Sequence, residues 1–204
     1  MQENPGGESR IMGSQWGYDR TYLRAKHEGY RSRAAYKLLE IQKKFSIIRP
    51  TDNIVDLGAA PGSWLQVLRT LTEGRVIGID LNPIADLEGT DTIEGDLNDP
   101  AVIERVRSLT ATVNVVVCDA APKLSGHKSY DQARIIELNE QALSFACAVL
   151  KQGGNFAIKS FQGTDFPELY EETKKHFYSV KTCNTKSSRK GSTELYIVAK
   201  NFIG

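Results

Sequence analysis

The sequence predicts an α/β fold: a mostly parallel seven-stranded sheet with one antiparallel strand and helices on both faces. Three observations carry this. Strand-like and helix-like segments alternate from about residue 53 to residue 177, the signature of strand–helix–strand crossovers. Val113–Cys118 is a β-branched run of the kind a parallel strand shows when both its faces are covered. The chain closes on two strand-like segments, about 179–185 and 194–199, too close in sequence for a parallel crossover, so they must form a hairpin.

Each element has a local reason. Residues 20–45 are basic and helical, with Ala34, Leu38, Ile41 and Phe45 forming one apolar stripe and Ser32 as the expected N-cap. Arg49-Pro50-Thr51-Asp52 marks a turn. Asn53–Leu57 is a short apolar strand, and Ser63–Leu71 reads as a helix. Arg75–Asp80 is a second strand, closed by Asn82-Pro83, and Asp91–Glu94 a weak third. Pro100–Leu109 is a helix with proline in its first turn. Tyr130–Leu150 is a long helix with Ile135, Leu138, Ala142, Phe145 and Val149 on one face, broken by Gly153-Gly154. Asn155–Lys159 is the next strand, and Pro167–Phe177 a helix introduced by Asp165.

With 204 residues, 40% of them hydrophobic, the chain can fill the core of a single domain, read here as 16–204. Residues 1–15 are poor in apolar side chains and read as a flexible tail without a signal-peptide core. No apolar run reaches the roughly 18 residues of a membrane span. Cys118, Cys147 and Cys183 are odd in number and widely spaced, which suggests neither a disulfide framework nor a zinc site. They fit small buried residues in a reducing cytoplasm. A net charge of +1 means that any anionic partner must be met by local clustering.

The first strand runs into Asp56-Leu57-Gly58-Ala59-Ala60-Pro61-Gly62-Ser63-Trp64. Gly58 permits a tight turn, small residues follow, and the next helix N-terminus offers free N–H groups to an anion. The loop is not G-x-G-x-x-G, nor does it end in G-K-[ST], which argues against dinucleotide and P-loop sites. An ordinary strand–turn–helix stays open on this loop alone. Asp80 ends the second strand, where a carboxylate can take ribose hydroxyls; Asp96 follows the third, where it can accept from an adenine amino group. Together they favour an adenosyl ligand, S-adenosylmethionine.

The loop resembles the D-L-G-A-A-P-G-G-W signature of the FtsJ/RrmJ (RlmE) family of 2′-O-ribose RNA methyltransferases. Four more segments are similar to the family's motifs, in order. They are Ser32-Arg33-Ala34-Ala35-Tyr36-Lys37-Leu38, Asp119-Ala120-Ala121-Pro122, Gly154-Asn155-Phe156-Ala157-Ile158-Lys159, and Arg189 to Tyr196 around Ser192-Thr193-Glu194. The match spans about Tyr30 to Ala199. Ser63 stands where Gly is common, Ala120 where Met is common, and Lys-Leu-Ser-Gly follows Pro122.

The resemblance implies a Rossmann-like class I methyltransferase fold and a catalytic tetrad at Lys37, Asp119, Lys159 and Glu194. It implies cofactor contacts at Gly62, Trp64, Asp80, Asp96 and Asp119, to which the turn itself adds Gly58. No metal is expected. Within the family the similarity favours the branch acting on uridine in large-subunit ribosomal RNA, over tRNA and mRNA-cap branches. A monomer is expected.

Methyl transfer to a hydroxyl needs in-line alignment and removal of a proton. A neutral lysine can serve as base when burial and a second cation depress its pKa, whereas neighbouring carboxylates oppose this. By analogy with the family, Lys159 is the expected base, with an ammonium that steers the hydroxyl as the alternative. For RNA, Arg20, Arg24, Lys26, Arg31, Arg33, Lys37, Lys43 and Lys44 are opposed only by Glu28 and Glu40 over residues 20–44. Tyr18, Tyr22, Tyr30 and Tyr36 are interleaved, suiting phosphate contacts with base stacking. Arg31 and Arg33 are the candidates there, joined by Lys186, Arg189 and Lys190 in the closing loop. His27, His127 and His176 are isolated and receive no role. A catalytically silent RNA-binding module and a small-molecule methyltransferase are the competing readings; the four tetrad residues oppose the first, the basic segment the second.

Overall fold

A computed structural model describes residues 20–123, 125–188 and 191–204. The expected tail at 1–15, Tyr18, Arg189 and Lys190 lie outside the described residues. Seven strands form one sheet: β1 (Ile54–Leu57), β2 (Val76–Asp80), β3 (Asp91–Glu94), β4 (Val113–Cys118), β5 (Leu150–Phe161), β6 (Phe177–Cys183) and β7 (Glu194–Phe202). Their spatial order is β3-β2-β1-β4-β5-β7-β6. The β3-β2-β1-β4-β5 block is parallel, and β7 runs antiparallel to both β5 and β6. One antiparallel strand in a mostly parallel sheet is the predicted arrangement.

The helices are α1 (Arg20–His27), α2 (Ala35–Phe45), α3 (Ser63–Leu71), α4 (Pro100–Leu109), α5 (Lys128–Val149) and α6 (Phe166–His176). Strand alternation sorts the core into two layers. Val55, Leu57, Val116, Cys118, Phe156 and Ile158 pack against α4, α5 and α6. Ile54, Val115, Val117, Ala157, Tyr196 and Val198 pack against α2 and α3 through Leu38, Ile41, Leu65 and Leu68.

Several boundaries differ from expectation for definable reasons. The basic segment is two helices, because Gly29 turns the chain at φ +79°. Ser32 does not cap α2: the helix starts after Ala34 without a side-chain cap, and the Ser32 hydroxyl meets that of Ser63 at 2.8 Å. The glycine pair does not separate α5 from β5. Strand geometry starts at Leu150, and Gly153, at φ +78°, sits within a register shift opposite Val113/Val115. On α5 the buried stripe runs through Asn139, Ala142, Leu143, Phe145 and Ala146; Ile135, Leu138 and Val149 are only half-buried.

Candidate active site

The sheet's register assembles the site. Cys118 on β4 lies level with Ile158 on β5, so Asp119 comes level with Lys159. Lys159 in turn pairs with Tyr196 on β7. Side chains level with one another share a face, and Glu194, two residues before Tyr196, shares it too. It is the face covered by α2, which brings Lys37 down onto the same spot.

The four expected residues meet there. Lys37 Nζ lies 2.8 Å and 2.9 Å from the two carboxylate oxygens of Glu194. Asp119 Oδ1 lies 3.3 Å from Lys159 Nζ and 3.6 Å from Lys37 Nζ. Lys159 also donates to the Asp119 backbone carbonyl. Lys37 and Lys159 are each only 8% exposed, so both amines are withdrawn from bulk water.

Burial pushes the Glu194 carboxyl up. The bond from Lys37 and a 2.5 Å bond from the Ser188 hydroxyl outweigh it, and its pKa falls below the usual value of 4.5.

Tyr196 completes the cluster, and sequence reasoning gave it no role. Its hydroxyl donates to Asp119 Oδ1 at 2.6 Å, its ring stacks on Trp64 at 6.1 Å, and Lys37 Nζ stands 5.8 Å from its centroid. Burial, with Asp119 and Glu194 nearby, raises its pKa well above the ordinary 10.0. The available signal was its i+2 spacing from Glu194 on one strand.

Beside this cluster, at the carboxyl ends of β1 and β4, a cavity of about 190 Å³ is lined by Asp56, Gly58, Ala59, Ala60, Ser63, Trp64 and Asp119, among others. Gly58 has φ +68°, and a Cβ there would stand 2.4 Å from that of Ala120. Gly62 has φ +98°, and a Cβ there would stand 2.5 Å from Arg31 Nη1. Both positions therefore require glycine. Trp64 is buried and donates its indole N–H to the Ala34 carbonyl at 2.8 Å, tying the loop to the start of α2. Ser63, the departure from the family's usual glycine, makes the second tie through Ser32.

Asp80 accepts from the Ala60 backbone N–H at 3.0 Å and, through its other oxygen, from the Asn82 backbone and side chain. Asp96 stands at the exposed end of β3 and accepts from Asn98.

Asp56 is the unexpected member. It is 1% exposed, and its Oδ2 has no hydrogen-bond partner among the described residues. Burial, with Asp119 and Asp80 nearby, holds its carboxyl well above the ordinary carboxylate range. Two acidic side chains, Asp56 and Asp119, line this small cavity, and Asp80 stands behind it on the Ala60 backbone; the set suits a ligand that carries positive charge and hydroxyl donors.

The expected RNA contacts divide. Arg31 is half-buried against the loop: its guanidinium donates to the carbonyls of Pro61, Ala85 and Asp86 at 2.9, 2.8 and 2.7 Å. Tyr36 is buried and gives its hydroxyl to Glu28 at 2.8 Å; Tyr30 packs edge-on against it. Tyr22 is 49% exposed. Lys186 is exposed, in a turn whose backbone is held by Glu40 at 2.6 Å and 3.1 Å.

A family model described as FtsJ-like methyltransferase matches residues 30–202. The chain belongs to the FtsJ-like methyltransferase family. This FtsJ-like methyltransferase is 71% identical over 193 residues to "Ribosomal RNA large subunit methyltransferase E" of Methanoregula boonei, covering 95% of this chain and 100% of that one. It is 68% identical to the protein of the same name in Methanosphaerula palustris, covering 95% of each. A crystal structure of a Plasmodium falciparum protein described as a ribosomal RNA methyltransferase aligns with TM-score 0.78 and 29% identity, over 86% of this chain and all of that one.

Proposed function

We propose that this FtsJ-like methyltransferase moves a methyl group from S-adenosylmethionine to the ribose 2′-hydroxyl of a uridine in large-subunit ribosomal RNA, as a cytoplasmic monomer. The observation that carries the reading is the meeting of two buried lysines at one carboxylate, Asp119 Oδ1, on the rim of the cavity beside Gly58 and Trp64. The names of relatives that are 71% and 68% identical support the RNA class.

Bound S-adenosylmethionine supplies an electrophilic methyl on a sulfonium. The carboxylates of Asp56, Asp80 and Asp119, with Asp96 at the next strand end, suit its ammonium, sulfonium and ribose. Gly58 and Gly62 let it approach the backbone, and Trp64 walls the loop.

The proton of the 2′-hydroxyl must leave as the new O–C bond forms. Lys159 is the base in this account. Its amine is buried and faces Asp119, without the two-oxygen clasp that Glu194 gives Lys37. Lys37, clasped by both oxygens of Glu194, is the second amine at Asp119 Oδ1 and holds that carboxylate alongside Lys159. Asp119, held by Tyr196, fixes the direction of the Lys159 amine. Such preorganised dipoles and charges act strongly where water is excluded.

The test is acceptor choice. Labelled S-adenosylmethionine is incubated with large ribosomal subunits, free ribosomal RNA, tRNA and small hydroxyl acceptors, and the methylated nucleotide is mapped. Label on a uridine ribose in large-subunit RNA is expected. Label on tRNA alone, or on small acceptors alone, overturns the substrate assignment.

A further inference from the structure

Away from the tetrad, the C-terminal end of α2 and the outer strands hold a basic surface. Lys44, Lys181 and Lys200 line a concavity together with Phe45, Ser179, Val198 and Asn201, and no acidic side chain among the described residues lines it. Its remaining side is Tyr178, which is 82% exposed. On the other side of α2's last turn, Lys43 and Lys186 line a second groove with Arg24. The acid among that groove's described lining residues, Glu40, is already bonded to the Lys186 and Ser187 backbone and the Ser187 hydroxyl. In a chain of net charge +1, the three lysines of the first concavity, with no acid lining it among the described residues, are a local concentration of positive potential. A large exposed aromatic among lysines adds a flat surface on which a base can stack.

The sheet relates this surface to the tetrad. Glu194, Tyr196, Val198 and Lys200 alternate along the same face of β7, so Lys200 lies about 20 Å from Glu194 at ~3.4 Å per residue.

We propose that this surface, built from Lys44, Lys181, Lys200 and Tyr178, binds a single-stranded segment of the RNA substrate remote from the methylated nucleotide. Lysines take its phosphates, and Tyr178 stacks a base. The proposal rests on RNA as the substrate. Duplex RNA has no free base to stack, so Tyr178 discriminates in favour of single strands.

The test uses the full chain with fluorescent single-stranded RNA of about 20 nucleotides and a blunt duplex of the same sequence. Lys44→Glu/Lys181→Glu should lower single-strand affinity at least tenfold. It should also flatten the plot of log affinity against log salt by about 1.4, at ~0.7 for each phosphate no longer neutralised. Tyr178→Ala should weaken the single strand at least fivefold and leave the duplex unchanged, and Tyr178→Trp should restore it. Lys200 is left intact because it bonds the Phe45 carbonyl at 3.1 Å.

Unchanged affinity and salt slope in folded variants would overturn the proposal. So would equal losses toward polyglutamate, which would make the surface a general polyanion or acidic-protein site. Wild-type transfer to ribosomal RNA is measured alongside. If the wild type methylates no RNA, the proposed function fails; if it does and the variants bind normally, only this surface fails.

Discussion

Replacing Lys37 by Met keeps a linear side chain of similar volume and removes its charge. Lys37 and Glu194 side chains are only 10% and 11% exposed and meet at 2.8 Å. At an effective dielectric of about 20, that contact amounts to roughly 6 kcal/mol of attraction before desolvation is counted. Most of this offsets the cost of burying the two charges. The loss on mutation is set by what remains: a buried carboxylate without its cation, for which about 3–5 kcal/mol is typical. The Ser188 bond to Glu194 survives, so the lower end, about 3 kcal/mol, is expected. For a domain of this size that is about 6–12 °C in Tm.

The pH dependence gives the sign. Glu194 in the wild type has a lowered pKa, so its stabilisation is present above about 4.5 and lost as pH falls through the folded value. The gap between wild type and Lys37→Met should therefore narrow on acidification. Adding Glu194→Gln should recover much of the loss, because no charge is then left unpaired. Urea unfolding of wild type, both single variants and the double variant from about pH 3 to pH 8 tests this. A Lys37→Met loss under about 0.5 kcal/mol, well below the range typical of a broken buried pair, or one that is flat with pH, would refute the reasoning.

Tyr196→Phe removes the 2.6 Å bond to Asp119 and keeps the ring; single-turnover transfer should slow by about tenfold, or roughly 1.4 kcal/mol, with cofactor affinity unchanged in calorimetry. Asp56→Asn should flatten the stability–pH curve: the raised carboxyl keeps its proton longer in the folded state, so wild-type stability declines as pH rises above the ordinary carboxylate range, and the variant should be the more stable near pH 8. Gly58→Ala combines φ +68° with a 2.4 Å approach to Ala120 and should cost about 2–4 kcal/mol in denaturant titration.

Strand–helix alternation and the closing hairpin were legible because burial imposes periods of two and 3.6 on apolar residues. The same alternation put Asp119 and Lys159 at the ends of central strands on one edge of the sheet, whereas Lys37 and Glu194 were legible only through the family resemblance. Tertiary bonds were not legible. The Arg31 guanidinium satisfies carbonyls of loops 30 and more residues away, and a sequence shows only that it is basic. Ser32 has the composition of an N-cap, but a hydroxyl partner 31 residues on wins it. Tyr30 and Tyr36 look like stacking residues in a basic run; Tyr36 is buried with its hydroxyl on Glu28, and the half-buried Tyr30 packs edge-on against it. Asp56 looks like an ordinary strand-end acid, and only three dimensions reveal its burial beside two other carboxylates.

The central claim is that Lys159 removes the proton of a ribose 2′-hydroxyl. Its most direct test is single-turnover transfer of labelled methyl to large-subunit RNA by wild type and Lys159→Met, with the label traced to base or sugar. The account predicts label on the ribose 2′-oxygen. It also predicts a fall of about 10²–10⁴-fold in the variant, with S-adenosylmethionine bound as in the wild type. Label on a base, or a variant within a few-fold of wild type, would contradict it.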